Sequence, residues 1–64
     1  MRNRERGLLE DLIASLSSAM DTVAFIIETR ESVNDEDPIV YDLHALYLGI
    51  HMLIDDVEDI GYDL

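Results

Sequence analysis

The fold is decided by one stretch of the chain, Pro38 to Ile60, which reads PIVYDLHALYLGIHMLIDDVEDI. Apolar residues recur along it at the spacing that places them on one side of a helix. They are Ile39, Leu43, Leu46, Tyr47, Ile50, Leu53, Ile54 and Val57. A stripe this broad predicts a helix over residues 38–60 that packs this side against a hydrophobic core.

The same helix carries a second apolar stripe on its opposite side. Tyr41, Ala45, Leu48 and Met52 follow a 4, 3, 4 spacing, which is typical of a heptad seam. Gly49 lies beside them, and a mid-helix glycine is consistent with the close approach of another helix. Because one further helix cannot cover both sides, we expect this stripe to be either a homodimer seam or a partner site.

The end of this helix is acidic. Asp55, Asp56, Glu58 and Asp59 replace the apolar residues of the second stripe. Exposed carboxylates near a helix C-terminus oppose the helix dipole and typically cost about 0.3–1 kcal/mol each. Two interpretations remain open, namely a solubilising surface and an acidic surface that contacts a basic partner.

The first half of the chain predicts a second helix, over residues 7–32. Its seam has the spacing 4, 3, 4, 3, 4 and consists of Leu9, Ile13, Leu16, Met20, Val23 and Ile27. Residues 32–37 (SVNDED) favour a turn, and Asp37 before Pro38 is typical of an N-cap followed by the first helical residue. The prediction is an all-α, antiparallel two-helix hairpin over residues 7–60. A flexible tail is expected at 1–6. A short tail is expected at 61–64, and it begins with Gly61, the expected C-terminal cap of the second helix.

Phe25 breaks the pattern of the first helix, because it projects from the polar side among small polar residues. A single exposed apolar residue needs no special role. Burial in an assembly and service as an anchor for a partner are the two other interpretations.

His44, His51 and Asp55 are the only residues that suggest site chemistry. His51 and Asp55 are spaced i, i+4 and form a candidate pH-sensitive pair. Position 48 is a leucine, so a tight pair of histidine ligands is missing and no metal site is predicted. The chain has no cysteine, phosphate-binding glycine loop or nucleophile elbow. We therefore expect no catalytic residue, no cofactor and no enzyme activity.

The 64-residue chain is 48% apolar and has a formal net charge of −11, which indicates a folded, acidic domain. Residues 31–64 hold ten acids and neither lysine nor arginine. We therefore expect no direct binding of nucleic acid, because nothing in this half can neutralise phosphates. A field of this sign attracts basic proteins. So small a core without disulfides favours self-association, here as a homodimeric four-helix bundle.

We expect a cytoplasmic protein without a membrane partner, since neither a signal peptide nor an uninterrupted membrane span is visible. In these general features the chain resembles small acidic helical-hairpin proteins, many of them from phages and mobile elements. The resemblance includes no shared motif, so no functional residue follows from it. The expected function is a regulator that docks on and inhibits a basic, nucleic-acid-binding protein, as an antirepressor, antitoxin or phage inhibitor does. The alternative is a self-associating structural or assembly subunit.

Overall fold

The computed structural model describes residues 2–63, which form two helices and no strand. Helix α1 spans Arg2–Val33 and helix α2 spans Pro38–Asp63. The Cα extents are 49 × 14 × 10 Å, and a helix of 32 residues is about 48 Å long at 1.5 Å per residue. The predicted hairpin is confirmed, and α1 runs its full length.

The core is a single seam between the two helices. All six predicted seam residues of α1 are buried or half-buried, and Val23 and Ile27 are the most covered of them. The seam of α2 alternates three- and four-residue steps and consists of Val40, Leu43, Tyr47, Ile50, Ile54 and Val57. Equal periods in both helices keep the two seams in register over many turns.

The predicted core side of α2 was too wide. Ile39, Leu46 and Leu53 were expected in the core, yet they are 44%, 51% and 52% exposed. Val40, which the prediction omitted, is buried at 7%. The physical reason is that one partner helix covers a narrow seam, whereas the apolar stripe of α2 is wider than that seam.

Both helices are longer than predicted. Residues 2–6, expected as a tail, form the first turn of α1, because arginine and glutamate are good helix formers. Gly61 does not end α2 in a left-handed conformation, since no glycine among the described residues has a positive φ. α2 therefore continues to Asp63. Met1 and Leu64, the outermost residues of the two predicted tails, lie outside the described residues.

The turn between the helices is short and hydrogen-bonded. The Asn34 amide N–H donates to the Arg30 carbonyl oxygen at 2.9 Å and completes the last turn of α1. The Asn34 side-chain oxygen then accepts a hydrogen bond from the Glu36 amide at 3.0 Å. This Asx turn reverses the chain within four residues.

Asp37 joins the turn to both helices. Its Oδ1 accepts a hydrogen bond from the Ile39 amide at 3.0 Å, which confirms the predicted N-cap of α2. Its Oδ2 accepts one from Nη1 of Arg30 at 2.8 Å. The Arg30 hydrogen bond, followed by that of the Ile39 amide, lowers the pKa of Asp37 below its ordinary value of 3.8.

A substitution of Asp37 should reveal this link through its pH dependence. Asparagine keeps the capping oxygen and removes the charge, so Asp37→Asn should lower the free energy of unfolding at pH 7. A depressed folded-state pKa contributes stability above the unfolded-state pKa and loses it as the pH falls through the folded-state value. The difference between wild type and variant should therefore shrink below pH 3.8. Urea unfolding at several pH values measures it.

Arg30→Gln is the matched control, because it removes the other partner of the same ion pair. In the Arg30→Gln background, Asp37→Asn should lower the free energy of unfolding at pH 7 by less than it does in the wild type. A difference that is independent of pH would contradict the proposed role of the pair.

Candidate interaction surfaces

The antiparallel arrangement brings the same flank of each helix to the same side of the hairpin. A contact between the two helices marks one of these sides, where Nε2 of His44 lies 3.8 Å from Oε1 of Glu31. This "histidine side" is defined by residues that recur every seventh position next to the two seams. They are Glu10, Ser17, Ala24 and Glu31 of α1, with His44, His51 and Glu58 of α2.

The other flank, here the "apolar side", carries no charged residue from Leu12 to Val33 of α1 or from Ile39 to Ile60 of α2, and one heptad before Leu12 the same line holds Glu5. It also recurs every seventh position and consists of Leu12, Ala19, Ile26 and Val33 of α1, with Ile39, Leu46, Leu53 and Ile60 of α2. Apart from the half-buried Ala19, all these residues are exposed, by 38% for Ile26 and up to 86% for Val33. Sequence analysis missed this surface, although its spacing of seven is visible in the sequence.

The second apolar stripe predicted for α2 lies on the helix face that points away from α1. Tyr41, Leu48 and Met52 are 73%, 56% and 59% exposed, and with Ala45 they form what we call the "outer ridge". A Cβ atom added to Gly49, at the edge of this ridge, would meet nothing within 4 Å. No contact inside the hairpin therefore requires a glycine at this position.

The four acids predicted as a partner surface do not lie on one face. Asp55 and Asp59 continue the line of the outer ridge, Asp56 lies at the edge of the apolar side, and Glu58 lies on the histidine side. All four are exposed. Together they cover most of the solvent-facing arc of the last turns of α2, apart from the exposed Ile60, and we call these four residues the "acidic end".

Phe25 is 69% exposed on the outer face of α1. That face and the outer ridge of α2 point in opposite directions, because each lies across its own helix from the shared seam. One hairpin therefore does not bring Phe25 and the outer ridge into a single surface.

The pH response proposed for His51 and Asp55 stays a prediction. Within residues 2–63, the histidine–carboxylate contact within 4 Å joins His44 to Glu31 across the two helices, and none joins His51 to Asp55. Both His51 and Asp55 are exposed, and an exposed pair gains too little to hold two side chains together. The described residues include no group of three potential metal ligands.

A groove opens on the histidine side at the end of the hairpin away from the turn. Its volume is about 570 Å³. Leu9, Ile13 and Val57 form its apolar floor, while Arg6 and Glu58 lie at its rim. The groove exists because the next seam position of α2 is Gly61, which has no side chain to fill the space.

Comparison of the chain with protein-family models, with curated proteins and with solved structures finds no match.

Residues Asn3–Val33 of α1 are long and apolar enough, by length and composition, to cross a membrane. A core helix of a soluble protein and a signal sequence near the N-terminus satisfy the same criterion. The apolar character of α1 is an average over many residues, because Asp21 and several serines interrupt its apolar runs. In the hairpin the same helix packs its seam against α2.

A side chain added at Gly61, beside the groove, should stabilise the hairpin. A Cβ at Gly61 would lie 3.9 Å from Cδ1 of Leu9, an ordinary van der Waals contact. Gly61→Ala should therefore raise the free energy of unfolding by up to about 1 kcal/mol, through helix propensity and the added contact. Urea unfolding measures the change.

The matched control is Gly7→Ala, because a Cβ there meets nothing within 4 Å. It should give a smaller gain than Gly61→Ala, since only propensity changes. A loss of stability in Gly61→Ala would show that the groove must stay open in the folded chain.

Proposed function

We propose that this protein is a small acidic regulator that docks on a basic, nucleic-acid-binding protein and inhibits it. The observation that carries the proposal is the surface of α2, where an exposed apolar ridge runs directly into an exposed acidic end. We assign no catalytic residue and no cofactor to this function. This function implies a cytoplasmic location, where a nucleic-acid-binding partner would be met.

The outer ridge supplies the apolar part of the contact. Tyr41, Ala45, Leu48 and Met52 have the spacing of anchors on a helix that lies in a hydrophobic groove. Tyrosine is enriched at interface hot spots, and methionine adapts to irregular pockets. Gly49, at the edge of the ridge, would let the wall of such a groove approach the backbone of α2.

The acidic end supplies the charge complementarity. Its carboxylates lie near the C-terminus of α2, where they oppose the helix dipole, and no basic residue occurs in the last turn. A basic partner would neutralise them and turn this unfavourable arrangement into a favourable one. Inhibition follows because a nucleic-acid-binding protein uses its basic surface for phosphates, so a carboxylate cluster bound there excludes the nucleic acid.

The alternative is a self-associating structural or assembly subunit that forms a homodimeric four-helix bundle. The observation that favours it is the large exposed apolar area of the hairpin, which includes residues of both helices. In that case the acidic end would only keep the assembly soluble.

A capture experiment with matched charge variants tests the proposal. The protein, immobilised, is incubated with nuclease-treated lysate of its host, and bound proteins are identified. One variant neutralises the acidic end through Asp55→Asn, Asp56→Asn, Glu58→Gln and Asp59→Asn. The control neutralises four exposed acids of α1 through Glu5→Gln, Glu10→Gln, Asp11→Asn and Asp21→Asn, which changes the net charge equally.

A basic nucleic-acid-binding protein should bind the wild type and the control, and its affinity for the acidic-end variant should fall at least about tenfold, the equivalent of about 1.4 kcal/mol. Nucleic acid should compete for the bound protein. Equal losses in both variants would show a non-specific charge effect, and recovery of the chain alone would favour the structural alternative. Leu48→Ala should weaken binding that persists at high salt, where exposed charges are screened.

A further inference from the structure

We infer that the apolar side is covered by a second copy of this chain, with α1 of each copy packed on α2 of the other. The inference deepens the proposed function, because it names the surface of self-association and leaves the outer ridge and acidic end free. The apolar side shares no member with the outer ridge or the acidic end, and only Asp56, at its edge, enters both proposals, so either can fail alone.

The single hairpin has more surface than a compact protein of its mass. It exposes 5087 Å², whereas a compact monomer of 7.3 kDa exposes about 4,200 Å² by the usual scaling with mass. The excess of about 900 Å² matches the roughly 800 Å² that each partner buries in a standard interface. The broad face of the hairpin, 49 × 14 Å between Cα atoms, covers roughly 700 Å² and is large enough for such an interface.

The apolar residues of both helices follow the pattern of a bundle larger than two helices. A two-stranded coiled coil needs two apolar positions in seven, whereas a helix in a larger bundle uses three. Both helices here carry the third position, and in both it lies on the same flank. Since the helices are antiparallel, the third positions form four tiers across the hairpin: Val33 with Ile39, Ile26 with Leu46, Ala19 with Leu53, and Leu12 with Ile60.

These tiers are complementary to the same tiers of a second copy. With a two-fold axis along the hairpin, each tier meets the same tier of the partner, and α1 lies on the partner's α2. Ala19, the smallest residue of the apolar side, then faces Leu53 of the other copy. A large residue opposite a small one fills the space between two helices without overpacking.

Charge decides the orientation. Along α2 the apolar side is edged by Asp42 and Asp56, whereas along α1 it is edged by Ser15, Thr22 and Thr29. If α2 packed on α2, Asp42 of each copy would lie near Asp56 of the other, so two pairs of like charges would meet along that edge. If α1 packs on α2, the aspartates meet uncharged hydroxyl residues. Both turns then lie at the same end of the bundle.

The outer ridge is the weaker candidate for self-association. It belongs to α2 alone and becomes acidic after Met52, so a parallel pairing of two α2 helices through it would bring the acidic ends of both copies together. A membrane surface is likewise a poorer occupant of the apolar side, since a net charge of −11 is repelled by anionic lipids.

Two leucines of α2 provide a matched test. Leu53 on the apolar side and Leu48 on the outer ridge are 52% and 56% exposed. Light scattering should give twice 7.3 kDa for the wild type at micromolar concentration. Leu53→Asp should give a monomer or weaken the dimer at least about a hundredfold, because a buried carboxylate is left unpaired. Leu48→Asp should stay dimeric.

A dimeric Leu53→Asp together with a monomeric Leu48→Asp would overturn the inference and assign the seam to the outer ridge. A monomeric wild type would also overturn it. If that monomer partitions onto zwitterionic lipid vesicles, the apolar side is a membrane-binding surface instead. In each case the capture experiment on the acidic end remains independent.

A spin label in the wild-type background tests the orientation and needs no destabilised variant. The chain contains no cysteine, so Glu36→Cys places one label at the exposed turn. Pulsed dipolar spectroscopy should show two labels at the same end of the bundle. A separation near 49 Å, the length of the hairpin, would place the turns at opposite ends and overturn the packing of α1 on α2.

Discussion

The structure depends on one geometric limit, which is that two helices can cover only one seam. Six residues are less than a tenth exposed, and among residues 2–63 no side chain is completely buried. A core one side chain deep cannot take up the apolar residues that flank it on either helix. Domains of this size seldom gain sufficient stability from a lone core. The exposed apolar surfaces of this hairpin are therefore a consequence of its architecture, and they need an occupant.

The register that arranges these surfaces is set at the turn. The α1 seam continues from Ile27 to Arg30, where a charged residue replaces an apolar one. Arg30 donates a hydrogen bond to Asp37, which is also the N-cap of α2. The last seam position of α1 is therefore linked directly to the first turn of α2. A connection this short allows little sliding of one helix along the other. Its register places matching flanks side by side and separates an apolar side from a histidine side.

Much of this could be predicted from the sequence. The seam of α1, the N-cap at Asp37 and the hairpin itself follow from local spacing and capping chemistry, which act within a few residues. The assignment of Leu46, Leu53 and Ile39 to the core was wrong, because a periodicity shows which residues share a face and not how much of it a partner covers. The contact of His44 with Glu31 depends on the register of the two helices across the turn, and local sequence patterns do not predict that register.

The structure also separates two kinds of surface that need the same residue types. A surface for a second copy must complement itself under a two-fold axis, so it should include both helices and avoid charges that would meet their own copies. The apolar side satisfies both conditions. A surface for a different protein has no such constraint and can combine apolar residues with charge of one sign, as the outer ridge and acidic end of α2 do. The proposed dimer and the proposed partner contact therefore use different exposed apolar residues, a division that follows from symmetry and that sequence periodicity alone leaves open.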